Sequence, residues 1–313
     1  MRNSFLEDAH PFLQLVFLVF LMLVVFLIFS FAGLLLAMPL YGLGMADVLR
    51  LMQSPPGESN IGLLKYLQCV QTLSLFLVPS VLFIRLSGER VTSWVGWRRT
   101  VGWRVLLMSV VLVVALMPVN NFLSSWNSRL HLPEGMAALE RMMRMLEENA
   151  ARLTKAFMTM HSWKDYAVNL FIVGMLAAVG EEMTFRGVIQ PVLIRWTGSR
   201  HAGVILAGAV FSFFHFQFFG FIPRWLLGVV LGYLFLWSGT LKLSILVHFL
   251  NNALAVTAYW LLTPEKVEEG LDRIGAGYPD GGGADPYLFA GIMVAALAMW
   301  MIRKETRENV TET

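Results

Sequence analysis

Apolar residues run along this chain in long continuous blocks, with neither the alternation of a half-buried strand nor a single narrow stripe. The blocks occupy approximately residues 12–38, 62–84, 103–123, 166–193, 202–220, 222–240, 243–262 and 287–302. All but the short last block approach the length an α-helix needs to cross about 30 Å of hydrocarbon. The pattern predicts an all-α, polytopic membrane protein with about eight transmembrane helices. The division between the fifth and sixth blocks rests on Gly220 and Pro223 within FFGFIPRW, which leaves room for a tight hairpin or a partly re-entrant turn. The first block follows MRNSFLEDAH and is too long for the apolar region of a signal peptide, so a retained first span is expected.

One segment breaks the pattern. Residues 124–165 carry an amphipathic helix in PEGMAALERMMRMLEENAARLTKAF, with Met136, Leu139, Met142, Met143, Leu146, Leu153 and Phe157 forming an apolar stripe. Glu140 with Arg144 and Glu148 with Arg152 are i,i+4 pairs in the favourable order. The segment is expected to lie on the bilayer or over the spans; a soluble connector helix is the alternative. The expected organisation is N-terminal membrane spans at 1–123, the amphipathic connector at 124–165, a core at 166–262, and an acidic, glycine-rich loop, last span and charged, frayed tail at 263–313. There is no internal repeat and no separate soluble domain.

Charge adds orientation. Arg85, Arg90, Arg98 and Arg99 follow the second block, Arg195 and Arg200 the fourth, Lys242 the sixth, and Arg303, Lys304 and Arg307 the eighth. With eight spans these fall on one side, which positive-inside bias makes cytoplasmic together with both termini. The loop at 263–286, with Glu265, Glu268, Glu269, Asp272, Asp280, Asp285 and a GGG run, falls on the other. Arg141, Arg144 and Arg152 of the connector conflict with that rule. In 313 residues, 57% are hydrophobic and 14% charged, against roughly 25% charged in soluble domains. The net charge of +3 with this distribution points to loops beside a bilayer and away from nucleic acid. The lone Cys69 excludes an intrachain disulfide and a multi-cysteine zinc site.

Candidate chemistry sits inside the apolar blocks, where ionisable groups are costly and usually functional. The fourth block contains Glu181-Glu182-Met183-Thr184-Phe185-Arg186, bracketed by Gly180 and Gly187. On a helix Glu182 and Arg186 share a face, and Glu181 is turned by about 100°. Glu182 is then expected to be held by Arg186 and Glu181 to be free to take a proton, although the two roles could be exchanged. The fifth block ends in Phe211-Ser212-Phe213-Phe214-His215, and the seventh holds His248-Phe249-Leu250-Asn251-Asn252. His248 and Asn252 share a face and can donate to one substrate oxygen, as an oxyanion hole requires; Asn251 points elsewhere. Of six histidines only His215 and His248 lie well inside blocks. A carboxylate and a neutral imidazole converging on one water can deprotonate it as it attacks a carbonyl. The same groups could bind a divalent metal that acidifies that water.

EExxxR, FxxxH and HxxxN, intact and in this order on successive blocks, resemble the CPBP family of intramembrane proteases, which includes the type II CAAX prenyl endopeptidases and bacterial Abi proteins. The resemblance covers residues 166–262. It implies a helical core of CAAX-protease type and an intramembrane endopeptidase acting on membrane-associated peptides or proteins, prenylated or not. It implies that Glu181 and His215 activate water, that His248 and Asn252 stabilise the oxyanion, and that Glu182 and Arg186 support them. It also implies a bacterial inner membrane location. Zinc or another divalent metal is a possible cofactor, with Glu181, Glu182, His215 and His248 as candidate ligands, but the residues make it no obligation. The patterns HExxH, GxSG and GxGD of other intramembrane proteases are missing. Two other classes stay open: a transporter or channel with an ionisable pathway, and an inactive scaffold with the same motifs.

Overall fold

The computed structural model describes residues 5–53, 60–262 and 286–311. The expected acidic, glycine-rich loop between the last two spans lies outside the described residues, apart from its final position. Among the described residues there are only helices and turns. Their order is α1 (Pro11–Tyr41), α2 (Met45–Gln53), α3 (Ile61–Leu86), α4 (Trp103–Ser128), α5 (Ala137–Met158), α6 (Trp163–Thr197), α7 (Arg200–Phe213), α8 (Phe221–Ser238), α9 (Leu241–Leu261) and α10 (Pro286–Thr311), with short turns at Phe5–Asp8 and Val91–Trp94. Seven of these helical segments are long and apolar enough to cross a membrane. The protein is a polytopic helical membrane protein. Leu13, Phe20, Leu27 and Phe31 on α1, like Met293 and Leu297 on α10, face outward, as lipid requires.

The eighth expected span is where pattern and structure part. The block at 202–220 becomes α7, which ends at Phe213. Its 14 residues rise about 21 Å, short of the hydrocarbon thickness. Beyond it the chain turns through Phe216, the one non-glycine residue at positive φ (51°) among those described. This turn is held by polar groups from three helices. Asn127 Nδ2 donates to Phe218 O (3.0 Å) and its Oδ1 accepts from Ile222 N–H (3.2 Å). Glu147 of α5 accepts from Phe219 N–H (3.0 Å), and Arg224 donates to Gln217 O (2.9 Å) and to the Gln217 side chain. Satisfying backbone groups from outside lets the chain leave the helix at membrane depth. The last helix departs from expectation in the other direction. It extends beyond the short block and stays helical to Thr311, because Ile302 and Thr306 are buried and Glu305 pairs with Arg104 (3.3 Å).

Two apolar clusters form the core. One joins α1, α3, α6, α7 and the start of α9 through Leu18, Phe83, Phe185, Val192, Phe211 and Leu241. The other joins α4, α8, α9 and α10 through Leu112, Leu231, Leu243, Val247 and Ala298. Helix α9 belongs to both, so α6 and α9 meet along the seam. At one end of the bundle Arg195 donates to Gln14, Leu241 N–H to Val95 O (3.0 Å), and Lys242 to Arg99 O (3.3 Å). That end carries the arginine-rich turns.

Three stretches wind as π-helix: Leu73–Leu77 in α3, and Leu170–Leu176 and Phe185–Ile189 in α6. The two in α6 flank the acidic pair. Wide turns leave carbonyls without their regular partner, and such turns favour functional sites. Gly187 O is one example. Its regular partner would be the amide of residue 191, which is proline and has none. Trp94 Nε1–H supplies the missing bond at 2.6 Å. Helices α7 and α8 cross with no side chain between them: a Cβ on Gly228 would stand 2.8 Å from Gly208 Cα. This close crossing exposes backbone carbonyls of α8 to the side chains of α6.

Helix α5 bears polar and apolar faces as expected, but its hydrogen bond to the turn after α7 comes from the polar one, and Ala156 and Met158 are buried at its end. Glu140, Arg144 and Glu147 face the protein, while Leu139, Met142, Leu146 and Leu153 face out. Glu140 binds Arg144 (2.7 Å) and accepts from Leu132 N–H (2.9 Å), and Arg144 stacks over Phe219 (4.2 Å). The Arg144 hydrogen bond, then Leu132 N–H and His131, hold the Glu140 carboxyl down to about 2. Arg152 donates to Asn149.

Candidate active site

Three of the six expected residues form one buried hydrogen-bonded group. Glu182 is fully buried, and its Oε1 accepts from Arg186 Nη1 (2.7 Å) and lies 2.8 Å from His248 Nδ1. The i,i+4 spacing on α6 makes the first contact, and packing of α6 on α9 makes the second. Arg186, 1% exposed, also donates through Nη2 to Gly228 O (2.8 Å) and lies over the Phe211 ring (4.6 Å). One turn further Gln190 donates to Gly232 O (3.1 Å). A buried charge pair is costly to desolvate and must be completed by further hydrogen bonds; the bare carbonyls of α8 supply them.

The contact with Glu182 fixes the tautomer of His248. A carboxylate only accepts, so Nδ1 carries the proton and Nε2 points the other way. Nε2 lies 3.8 Å from Glu181 Oε2, beyond hydrogen-bond distance. Glu181 Oε2 has no partner among the described residues, and the side chain keeps 15% exposure where Glu182 keeps none. Of the two carboxylates, Glu182 is thus engaged through Oε1, although its Oε2, like Glu181 Oε2, is buried without a hydrogen-bond partner among the described residues, and Glu181 is the more exposed.

His215 lies on the turn after α7, with Nδ1 3.0 Å from Phe211 O. A carbonyl also only accepts, so Nδ1–H donates and Nε2 holds the lone pair. Phe211 stacks edge-on against both His215 (5.0 Å) and His248 (5.8 Å), and the charge of Glu181 reaches the His215 ring. Asn252 Nδ2 donates to Val173 O (3.0 Å). That carbonyl is free because Ala177 N–H bonds Ile172 and Gly174 instead, a product of the π-helical turn. Asn251 Nδ2 donates to Asn252 Oδ1 (3.3 Å), which orients the neighbouring amide. A carboxamide has two N–H groups, so Asn252 keeps a second donor.

Residues 163–254 match the family model Rce1-like, described as type II CAAX prenyl endopeptidase Rce1-like. That segment is similar to the CAAX-protease family. The match runs from the start of α6 into α9 and includes all three motifs. No curated protein and no solved structure matches the chain. A segment similar to CAAX-type intramembrane proteases therefore sits within a larger helical membrane protein.

The donors present do not form a closed metal set. Among the described residues no three His, Cys, Asp or Glu side chains come together as a cation-holding group. Glu182 Oε1 is occupied by Arg186 and His248, which leaves Glu182 Oε2, Glu181 and His248 Nε2. The residues therefore do not fit the three-ligand arrangement of a catalytic zinc as they stand, and no step is routed through one.

Several contributors to the site were absent from the sequence reading. Gln190, Gly228 and Gly232 tie α6 to α8, and Gly228-Val-Val-Leu-Gly232 is a small-xxx-small pattern that could have signalled it. Trp94, Asn127 and Glu147 act across more than seventy residues and leave no local signal. Gly180 lets α6 approach α3 closely, since a Cβ there would meet Thr72 at 3.1 Å; Gly187 has only ordinary contact with Leu241 (3.5 Å).

Proposed function

We propose that this protein is an intramembrane endopeptidase that hydrolyses peptide bonds of membrane-associated peptides or proteins, prenylated or not. The observation that carries the reading is the division of the acidic pair. Glu182 holds Arg186 and His248 through Oε1, while Glu181, the more exposed of the two, makes no such contact and presents an unpartnered oxygen toward the His248 ring. In the proposed reaction Glu181, with His215 Nε2, takes a proton from water as the water oxygen attacks the substrate carbonyl carbon. The carbonyl oxygen becomes an oxyanion. The imidazolium form of His248, with both ring nitrogens protonated and Nδ1–H held by Glu182, donates to it through Nε2, as does the second N–H of Asn252. Collapse breaks the carbon–nitrogen bond, and Glu181 returns its proton to the leaving amine.

Location in a bacterial inner membrane, with both termini in the cytoplasm, is part of the same proposal. It is supported by the basic residues gathered at one end of the bundle.

The test is cleavage of a panel of prenylated and unprenylated membrane-associated peptides by purified full-length protein in liposomes, with Glu181→Gln as the control. Cleavage by wild type and none by Glu181→Gln is the expected result. Equal cleavage by both would overturn the mechanism, and proton-coupled solute flux without cleavage would assign the charges to transport.

A further inference from the structure

Helix α5 has three sides, one of which faces the protein with Glu140, Arg144 and Glu147. On a second side Leu139, Met142, Leu146 and Leu153 fall within about 60° of one another, and all four are exposed. On the third, Arg141, Glu148, Arg152 and Lys155 fall within about 60° and are exposed as well. Two outer strips of opposite character match two different solvents. A helix in a bilayer interface has this arrangement, its apolar side at the acyl boundary and its charged side among headgroups and water. Trp126 and Leu130, at the end of α4 and just after it, are also exposed, so the lipid-facing surface of the spans reaches α5.

The inward side holds the bend after α7. Glu147 Oε2 accepts from Phe219 N–H (3.0 Å). The Arg144 guanidinium, itself bonded to Glu140 (2.7 Å), lies over the Phe219 ring (4.2 Å). The bend opens at His215 and at Phe216, which takes the positive φ, and Phe219 lies at its far side. A backbone N–H at this depth needs an acceptor, and the one it has comes from α5. The helix that meets the lipid surface thus also holds the segment that carries His215.

We propose that the strip of Leu139, Met142, Leu146 and Leu153 docks α5 onto the bilayer interface, and that this docking holds the His215 bend through Glu147, a positioning residue. Seated in lipid, α5 stays against the bend. Lifted from it, the helix withdraws the Glu147 carboxylate and leaves Phe219 N–H without its partner. The approach of His215 to Glu181 then depends on membrane contact, a consequence that rests on the proposed reaction. The docking and the hold on the bend do not depend on it.

Nitroxide labels on the full-length Cys69→Ser protein in liposomes test both parts. A label at Leu146→Cys should be relaxed more by oxygen, which collects in hydrocarbon, than by a water-soluble nickel chelate. A label at Arg141→Cys should show the reverse. Equal access of the chelate to the two positions would overturn the docking. A label at Phe216→Cys, where the side chain is exposed, reports the bend. Glu147→Leu should remove the immobilised component of its spectrum. Glu147→Gln should keep it, because the amide oxygen still accepts from Phe219 N–H. Leu146→Asp, a change at an exposed position, should loosen the bend as Glu147→Leu does. An unchanged spectrum in Glu147→Leu or in Leu146→Asp would overturn the coupling, as would equal loosening by Glu147→Gln and Glu147→Leu. Peptide cleavage is not part of the readout, so failure here leaves the proposed protease activity standing or falling by its own test.

Discussion

The acidic pair divides the candidate active site into two halves with opposite bonding. On one side Glu182, Arg186, Gly228 and the Nδ1 edge of His248 close a ring of short contacts with almost no exposure. On the other side Glu181, His215 and Asn252 are partly accessible, and each is left with an unspent oxygen, lone pair or N–H. The two glutamates are adjacent in sequence and chemically identical. Their difference comes from the helical turn of about 100° between them and from what α8 and α9 bring to one face only. The closed half sets positions, and the open half is where a substrate could be served.

The sharpest break of this contrast is Glu181→Gln. Turnover should fall by about 10²–10⁴-fold, the range for a general base, with little change in Tm. A large loss of stability would mean that Glu181 belongs to the closed half. Arg186→Met should do the reverse. It leaves Glu182 buried beside His248 without its cation and should cost about 3–5 kcal/mol of stability, read by thermal or denaturant unfolding. Adding Glu182→Leu should recover part of that stability and none of the activity.

Asn252→Ala tests whether the open half holds a working donor. The barrier should rise by roughly 2.7–4 kcal/mol, as on removal of an oxyanion donor. A loss confined to about 1 kcal/mol of stability would reduce Asn252 to its bond with Val173 O. Trp94→Phe probes the closed framework from outside the motifs. It strands Gly187 O in a buried place and should destabilise the fold by about 1–3 kcal/mol.

The smallest effect concerns the α5 clamp on the His215 turn. The Glu140 carboxyl is lowered from 4.5 to about 2 by its bonds to Arg144 and Leu132. Its contribution is therefore complete above the unfolded value and is lost as pH falls through the folded one. A spin label on α5 should stay immobile down to about pH 3 and loosen near pH 2, and Glu140→Gln should remove that step.

What could be read from the chain follows from range. Glu182 and Arg186 meet because they are one helical turn apart, and the order of the three motifs pointed to a CAAX-protease core. The end of α7 was hidden because FSFFHFQFF is as apolar as a span. The groups that stop it, Asn127, Glu147 and Arg224, come from other helices. The π-helical turns were hidden for a related reason: only Pro79 and Pro191 hint at them, and a proline alone does not say whether a helix kinks, ends or widens.

The wide turns of α6 also bear on how this protein can change. The seven residues Leu170–Leu176 turn through a smaller angle each than the α-helix on either side, so removing one would let the stretch return to ordinary winding with little rotation of the part before it against the part after it. Tyr166 would keep Thr257 and Asn169 would keep Phe157 O. The loss would fall instead on Asn252, because Val173 O would regain a helical partner and no longer be free to hold that side chain. The extra residue in this turn therefore serves a side chain on another helix more than the path of its own.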